Sequence, residues 1–112
     1  METQNTYPLL KESLDFTARV INYSEILEQE KKKTIALKLM HSGIKINSYL
    51  FEAKTAIRID DINLKLQKAK ISTEEALYWL KQCVKSNYLP NDSNVFDMGI
   101  KLSENISKSI KP

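Results

Sequence analysis

The segment from residue 62 to residue 83 carries the pattern that most constrains how this chain can fold. Its apolar and small residues recur at alternating steps of four and three: Ile62, Leu66, Ala69, Thr73, Ala76, Leu80 and Cys83. An α-helix places residues at this spacing along one face, whereas a β-strand requires a period of two. The segment is therefore predicted to be a long amphipathic helix with one face in a helical core.

The composition also indicates a helical protein. Two glycines and three prolines occur among 112 residues, which leaves little material for turns or a sheet. Apolar residues make up 42% of the chain and charged residues 28%, a balance typical of a folded domain rather than a disordered chain. We therefore expect a single domain, residues 1–112, built from long helices.

Capping residues, together with breaks in the apolar pattern, divide the chain into four predicted helices of similar length. The predicted helices span about residues 9–29, 34–57, 61–86 and 93–110. The expected N-caps, whose side-chain oxygens can accept hydrogen bonds from free backbone N–H groups, are Thr34, Asp60 or Asp61, and Asp92 or Ser93. Four helices with short connections predict an all-α fold, an antiparallel up-and-down four-helix bundle.

The last two connections differ in how clearly the sequence marks them. The stretch "NYLPNDS", which begins at residue 87, contains a proline and two asparagines and should separate the third helix from the fourth. The stretch "RID", residues 58–60, contains neither glycine nor proline. The second and third helices could therefore run together at that point.

The other three helices show comparable core stripes. The predicted core positions are Leu9, Phe16, Val20, Tyr23 and Leu27 in the first helix, Ile35, Leu39, Ser42, Ile46, Tyr49, Leu50, Ala53 and Ile57 in the second, and Val95, Gly99, Leu102, Ile106 and Ile110 in the fourth. Each set follows the helical period and so lies on one face. Gly43 borders the stripe of the second helix, where it would let a neighbouring helix come close.

Three helices carry a second apolar stripe away from the first. At about 100° per residue, these outer residues are Leu37, Met40, Ile44 and Phe51 in the second helix, Leu64, Ile71 and Tyr78 in the third, and Leu10, Leu14 and Ile21 in the first. A monomeric four-helix bundle needs one apolar stripe per helix, and this chain is too short to build a larger core. We therefore predict a homo-oligomer whose interface contains the outer residues of the second and third helices.

Candidate catalytic residues occur in "HSGIKINSYLFEA", residues 41–53, which contains the only histidine. His41 and Ser42 are sequence neighbours, so a helix would hold their side chains about 100° apart, a poor geometry for a base and its nucleophile. His41, Lys45 and Glu52 share a polar strip, where Glu52 would ordinarily form a surface or intersubunit ion pair. A hydrolase built on these residues is the weakest hypothesis.

The sequence contains no set of histidines and acids at metal-ligand spacing and no glycine-rich phosphate loop. Cys83 is the only cysteine and lies at the edge of a core stripe, where a small buried thiol is ordinary. We therefore predict that the protein is not an enzyme, has no catalytic, cofactor-binding or metal-binding residues, and takes no small-molecule substrate.

Charge is distributed unevenly along the chain, although the net charge is only +3. Residues 1–30 carry six acids and two bases, whereas residues 31–70 carry ten bases and three acids. The candidate nucleic-acid-binding residues are Lys31, Lys32, Lys33, Lys38 and Lys45, which lie in a stretch without any acid. Such a patch could bind RNA or DNA phosphates, and oligomerisation would multiply it. The alternative is a protein-interaction scaffold in which the lysines only keep the surface solvated.

Uninterrupted apolar stretches reach about five residues, as in "ALYWL", whereas a membrane span needs roughly 20. The first thirty residues lack the basic and apolar regions of a signal peptide. A single cysteine cannot form an internal disulfide. These features predict a cytoplasmic protein without a membrane partner.

Two segments of the chain resemble a known family. The run "KLMHSGIKINSYLFEAKTA" and the later "IDDINLKLQKAKISTEEALYWLKQCVKSNYL" are similar to four helix bundle proteins, also called 23S rRNA-intervening sequence proteins. The matching positions are Leu39, Ser42, Gly43, Ile46, Leu50, Glu52, Ala53, Asp61, Ile62, Lys65, Leu66, Ala69, Glu75, Ala76, Tyr78, Trp79 and Leu80. The resemblance covers roughly residues 14–110. Lys45, Tyr49 and Phe51 depart from it, since serine, asparagine and a polar or basic residue are usual there.

This resemblance implies a small antiparallel four-helix bundle, similar in fold to the accessory protein of diversity-generating retroelements, and members of both groups assemble as homopentamers. Some family members are encoded within sequences inserted into 23S rRNA genes. The family has no established enzymatic activity, and its nucleic-acid binding is an inference from basic surfaces and from the retroelement relative. A pentameric assembly is therefore the expectation that the resemblance adds to the outer apolar stripes.

Overall fold

The computed structural model describes residues 7–86 and 92–111, and within those ranges it contains four helices and no strand. The helices are α1 (Tyr7–Gln29), α2 (Lys33–Thr55), α3 (Ile59–Lys85) and α4 (Ser93–Ser109). Each end lies within two residues of its predicted position. The proline of the predicted third connection, Pro90, lies outside the described residues.

Consecutive helices run antiparallel. In every pair of neighbouring helices, a residue near the start of one meets a residue near the end of the other. Between α1 and α2 the pairs are Ser13 with Asn47 and Thr17 with Gly43, and between α2 and α3 they are Lys45 with Glu75 and Glu52 with Lys65. Between α3 and the α4 end of the chain they are Asn63 with Lys111 and Leu77 with Gly99, and between α1 and α4 the pair is Glu12 with Asn105. Because α2 and α4 each pack against both α1 and α3, the helices surround one core as an up-and-down four-helix bundle.

The core consists of the stripes that the helical period predicts. Nearly all of the predicted core residues are buried, while Ile35, Tyr49 and Ile110 are half-buried against its margin. Ile57 is the exception, because its side chain is 91% exposed. Helix α2 ends at Thr55, and Ala56 adopts an extended conformation with ψ 148°, so the chain has left the helix before Ile57. The prediction that Ile57 belongs to the core is therefore wrong.

Helices α1 and α2 approach each other closely at Gly43. A Cβ atom built on Gly43 would lie 3.1 Å from Cγ2 of Thr17, and the Thr17 hydroxyl donates a hydrogen bond to the Gly43 carbonyl oxygen at 3.2 Å. The Ser13 hydroxyl donates to the side-chain oxygen of Asn47, which also lies 3.2 Å from the Thr17 hydroxyl. These buried polar contacts fix the register of α1 against α2.

A Schellman motif ends α1, with Lys31 in the left-handed conformation at φ 63°. The backbone N–H of Lys31 donates to the Glu28 carbonyl at 2.9 Å, and that of Lys32 donates to the Leu27 carbonyl at 2.8 Å. Glycine is the usual residue at the left-handed position, because it has no Cβ to crowd the backbone. Because the motif reverses the direction of the chain directly after α1, α2 begins at Lys33.

Two of the three predicted N-cap assignments are wrong. Lys32 occupies the N-cap position of α2 in place of Thr34, because the Schellman motif lets the helix begin two residues earlier than a Thr34 cap would. Asp60 and Asp61 lie inside the first turn of α3 rather than before it. Carboxylates are still favourable there, because the first turn is the positive end of the helix dipole.

The cap of α4 and the separation of α2 from α3 are also defined. The Asp92 carboxylate accepts hydrogen bonds from the backbone N–H groups of Asn94 and Val95 at 3.0 and 3.3 Å, so its prediction as an N-cap is confirmed. Ala56 and Arg58 are both extended, so α2 and α3 do not form one continuous helix.

Tyr23 and Cys83 form a buried hydrogen-bonded pair between α1 and α3. Burial, with a smaller effect from the hydrogen bond to Cys83, raises the pKa of the Tyr23 hydroxyl far above its ordinary value. Burial also raises the pKa of the Cys83 thiol, although the hydrogen bond to Tyr23 opposes this shift. Both groups are therefore held in their neutral forms.

Lys31→Gly should stabilise the protein by about 0.5–1 kcal/mol, because glycine adopts the left-handed conformation without the Cβ penalty. The free energy of unfolding in urea measures the effect. Lys38→Gly is the matched control, since it removes the same charge but places glycine in the interior of α2 at an exposed position, and it should be destabilising by a similar amount. A Lys31→Gly variant that is less stable than the wild type would contradict the assigned conformation.

Stability should fall as the pH rises above about 10, because Tyr23 then ionises in the unfolded chain but stays protonated in the folded one. Each such group contributes a slope of about 1.4 kcal/mol per pH unit. Tyr23→Phe should reduce that slope. Urea denaturation between pH 8 and pH 11 tests this, and equal slopes in the wild type and Tyr23→Phe would contradict it.

Candidate oligomer interface and basic region

Nine large apolar side chains project from three helices at a spacing of seven residues. The three triads are Tyr7, Leu14 and Ile21 on α1, Leu37, Ile44 and Phe51 on α2, and Leu64, Ile71 and Tyr78 on α3. Their exposed fractions range from 37% for Ile21 to 58% for Ile71. All nine lie outside the core, so each of these helices has an apolar stripe that its own bundle does not cover.

The triads of α1 and α2 lie on the same side of the bundle. On α1, Leu14 and Ile21 are three residues before and four residues after Thr17, which contacts α2. On α2, Phe51 is four residues after Asn47, which contacts α1. Residues three or four apart stack on one side of a helix. We call these two triads, Tyr7, Leu14, Ile21, Leu37, Ile44 and Phe51, the α1–α2 face.

The two rows of the α1–α2 face are level with each other. Since Thr17 meets Gly43 and Ser13 meets Asn47, Leu14 lies at the height of Ile44 to within about half a helical turn. The same register places Tyr7 beside Phe51 and Ile21 beside Leu37. The Lys54 ammonium lies 5.8 Å from the centre of the Tyr7 ring, which agrees with this alignment.

The α3 triad lies on a different side of the bundle. Ile71 and Tyr78 are four residues before and three residues after Glu75, which pairs with Lys45 of α2. Leu64 is likewise four residues before Lys68, whose ammonium lies 5.8 Å from the centre of the Tyr49 ring. We call Leu64, Ile71 and Tyr78 the α3 ridge, and it lies on the side that α3 shares with α2.

The structure therefore divides the predicted interface residues between two surfaces. Leu37, Ile44 and Phe51 belong to the α1–α2 face, where Met40 and Leu10 are half-buried rather than fully exposed. Leu64, Ile71 and Tyr78 form the α3 ridge. Sequence reasoning missed Tyr7, although its position seven residues before Leu14 continues the α1 triad.

Ion pairs within the chain occupy the strip between the α2 and α3 triads. Lys45 Nζ lies 3.0 Å from Glu75 Oε1, and Lys65 Nζ lies 2.6 Å from Glu52 Oε1. The hydrogen bond from Lys65 to Glu52 raises the pKa of that lysine. Glu52 thus has a partner in its own chain. Because these side chains remain partly exposed to solvent, each pair contributes little to stability.

The five lysines of the predicted basic region fall into two groups. Lys31, Lys32 and Lys33 are consecutive at the α1–α2 turn, at one end of the bundle, where Lys31 and Lys33 are exposed and Lys32 is half-buried. Lys38 and Lys45 are exposed farther along α2. Among residues 7–86 and 92–111, only Lys45 of the five has a carboxylate within 4 Å.

The candidate catalytic residues of "HSGIKINSYLFEA" do not form a site with one another. Ser42 is buried and its hydroxyl donates to the carbonyl oxygen of Lys38 at 3.0 Å, whereas His41 is exposed on another side of α2. Within the described part of the chain, no three histidine, cysteine, aspartate or glutamate side chains are grouped closely enough to hold a metal ion. None of the described helices is both long and apolar enough to cross a membrane.

Comparison with solved structures shows a close likeness in fold. The chain is similar to the crystal structure of a protein of unknown function from the S23 ribosomal protein family of Bacteroides thetaiotaomicron, with a TM-score of 0.85 and 23% sequence identity. The alignment covers 96% of this chain and 98% of that one. The four-helix bundle fold is therefore shared over the whole length. No protein-family model and no curated protein matches the sequence.

Proposed function

We propose that this chain is a non-enzymatic subunit of a homo-oligomer of the 23S rRNA-intervening sequence type, and that the assembly binds nucleic acid through the lysines at the α1–α2 turn. The observation that carries the proposal is the set of three apolar triads outside the core. The likeness to an S23-family protein and the sequence resemblance both support this family assignment.

The size of the uncovered apolar surface supports self-association. An aromatic side chain buries roughly 150–250 Å² when fully covered and a leucine or isoleucine somewhat less, so nine side chains that are about half exposed leave on the order of 700 Å² of apolar surface. About two thirds of this area lies on the α1–α2 face, which alone is comparable with the largest apolar patch on a typical monomer, about 300–600 Å², and the α3 ridge adds a second patch. A standard protein interface buries about 1,600 Å² from its two partners together, so in a ring, where each subunit shares its triads between two interfaces, neighbouring residues must supply more than half of that area.

A pentamer is the assembly we propose, on the basis of the family resemblance. A closed ring covers an apolar surface on every subunit, whereas an open chain of subunits leaves one uncovered at each end. Rotational symmetry also places equivalent residues at one height around the axis. The turn that carries Lys31, Lys32 and Lys33 would thus be repeated five times around one end of the ring.

This ring of lysines is suited to phosphate groups rather than to bases. Lysine is a flexible point charge, and the basic group contains no arginine for bidentate contacts and no exposed aromatic residue for stacking. The uncapped start of α2, where Lys32 makes no side-chain cap hydrogen bond, adds the positive end of a helix dipole. We therefore propose binding to the nucleic-acid backbone with little sequence preference.

One observation favours a second candidate, a protein-interaction scaffold. Lys45 is already paired with Glu75 of its own chain, so part of the basic region is neutralised before any ligand binds. In this alternative the lysines only solvate the assembly, and the partner is another protein. Its binding would survive nuclease and high salt, because it would not depend on phosphate charge.

Ile44→Asp and Ile71→Asp should each convert the assembly to folded monomers, because each places a charge in an apolar contact. Light scattering measures the mass, and circular dichroism checks that the helices remain. Ile100→Asp is the matched control, since Ile100 is a partly exposed isoleucine on α4, away from both surfaces. An unchanged oligomer in both Ile44→Asp and Ile71→Asp would contradict the proposed role of the triads.

Replacement of Lys31, Lys32 and Lys33 by glutamine should weaken binding to RNA or duplex DNA at least tenfold at low salt. The slope of log affinity against log salt should also become shallower, since about 0.9 counterion is released per phosphate contact. Filter binding measures both. Replacement of Lys101, Lys108 and Lys111 by glutamine removes equal charge from the α4 region and serves as the control. An equal loss in both variants, or no wild-type binding at low salt, would contradict the proposal.

A further inference from the structure

We propose that the α3 ridge of one copy of the chain packs into the α1–α2 face of the next copy. This inference rests on the proposed homo-oligomer and specifies which surfaces meet. The contact is heterologous, because each subunit contributes a different surface to each of its two neighbours. Every copy would therefore carry both halves of the interface.

The spacing of the two surfaces is the first argument. The α3 ridge is a single row of side chains at positions 64, 71 and 78, about 10.5 Å apart along the helix. The α1–α2 face is two rows with the same seven-residue spacing, which are level with each other and separated by the groove between the helices. A row of side chains can pack between two rows of equal spacing, as ridges pack into grooves between helices.

The groove itself is suited to such a row. Its floor contains the half-buried Leu10 and Met40, each three or four residues from a member of its triad. The close approach at Gly43 draws α1 and α2 together beneath this floor. An apolar ridge entering the groove would thus meet apolar side chains on both sides and below.

Coverage is the second argument, since the two surfaces lie on different sides of the bundle. If the α3 ridge packed against another α3 ridge, each subunit would bury only about 250 Å² and would leave the α1–α2 face exposed. If the α1–α2 face packed against itself, the ridge would remain exposed. A contact of ridge with face covers all nine side chains with one type of interface, and it can repeat around a closed ring.

Charge favours one side of this contact. Helix α1 carries four carboxylates and two bases, whereas α3 carries five lysines and four carboxylates, so the two helices have opposite net charge. Helix α2 carries four lysines and one carboxylate, so on that side of the groove charge does not favour α3.

Mixing of two single variants tests the heterologous contact. Ile44→Asp removes the α1–α2 face but keeps the α3 ridge, and Ile71→Asp removes the ridge but keeps the face. Each variant alone should be a monomer, and an equimolar mixture should form a heterodimer, since one intact ridge meets one intact face. Sedimentation velocity at concentrations well above the assembly range of the wild type measures this. The double variant Ile44→Asp/Ile71→Asp, which lacks both surfaces, is mixed with Ile71→Asp to control for nonspecific association, and that mixture should stay monomeric.

The outcomes separate this inference from the proposed function. A 1:1 complex that forms only in the mixture of Ile44→Asp with Ile71→Asp would support the ridge-to-face contact. Dimers of each variant alone, or monomers that stay monomeric on mixing, would overturn it while leaving the homo-oligomer in place. A monomeric wild-type chain would instead remove the proposed homo-oligomer itself.

Discussion

A helix in a four-helix bundle can bury one face against its own chain, and three of the four helices here carry two apolar faces. The inner faces form the core, whose largest members, such as Phe16 and Leu50, are fully buried. The contacts of Gly43 and Asn47 with α1 then hold the two helices in register. Because each helical position is rotated by about 100° from the next, a slip of one residue would misalign the rows of the α1–α2 face. The buried polar contacts between α1 and α2 thus determine the shape of a surface on the outside.

The sequence predicts the core well because burial follows a period that can be read without coordinates. The core stripe of α3 is fully buried, as the alternating steps of four and three indicate. The ends of the helices were less predictable, since they depend on local backbone geometry. Lys31 occupies a conformation that normally indicates glycine, so nothing in the sequence marks the Schellman motif that makes Lys32 the cap of α2. The assignment of Ile57 to the core failed for the same reason, because no glycine or proline marks the end of α2.

The sequence predicts which residues form an outer apolar stripe on each helix, but it does not predict which stripes lie together on one side of the bundle. Helical periodicity identifies Ile44 and Ile71 as outward residues, but it does not determine which neighbouring helix each side chain lies closer to. That depends on the rotation of each helix about its axis, which tertiary contacts such as Thr17 with Gly43 determine. Lys45 and Glu75 are thirty positions apart in the sequence, so the sequence does not indicate that this lysine forms an ion pair within its own chain.

The central claim is that the outer apolar triads are covered by other copies of the chain. The mass of the wild-type protein, followed by sedimentation equilibrium over a wide dilution series, tests this most directly. The claim predicts one dominant species at an integral multiple of the 12.9 kDa chain mass, with a factor of five for the proposed ring. A folded, helical species of 12.9 kDa at every concentration would contradict it.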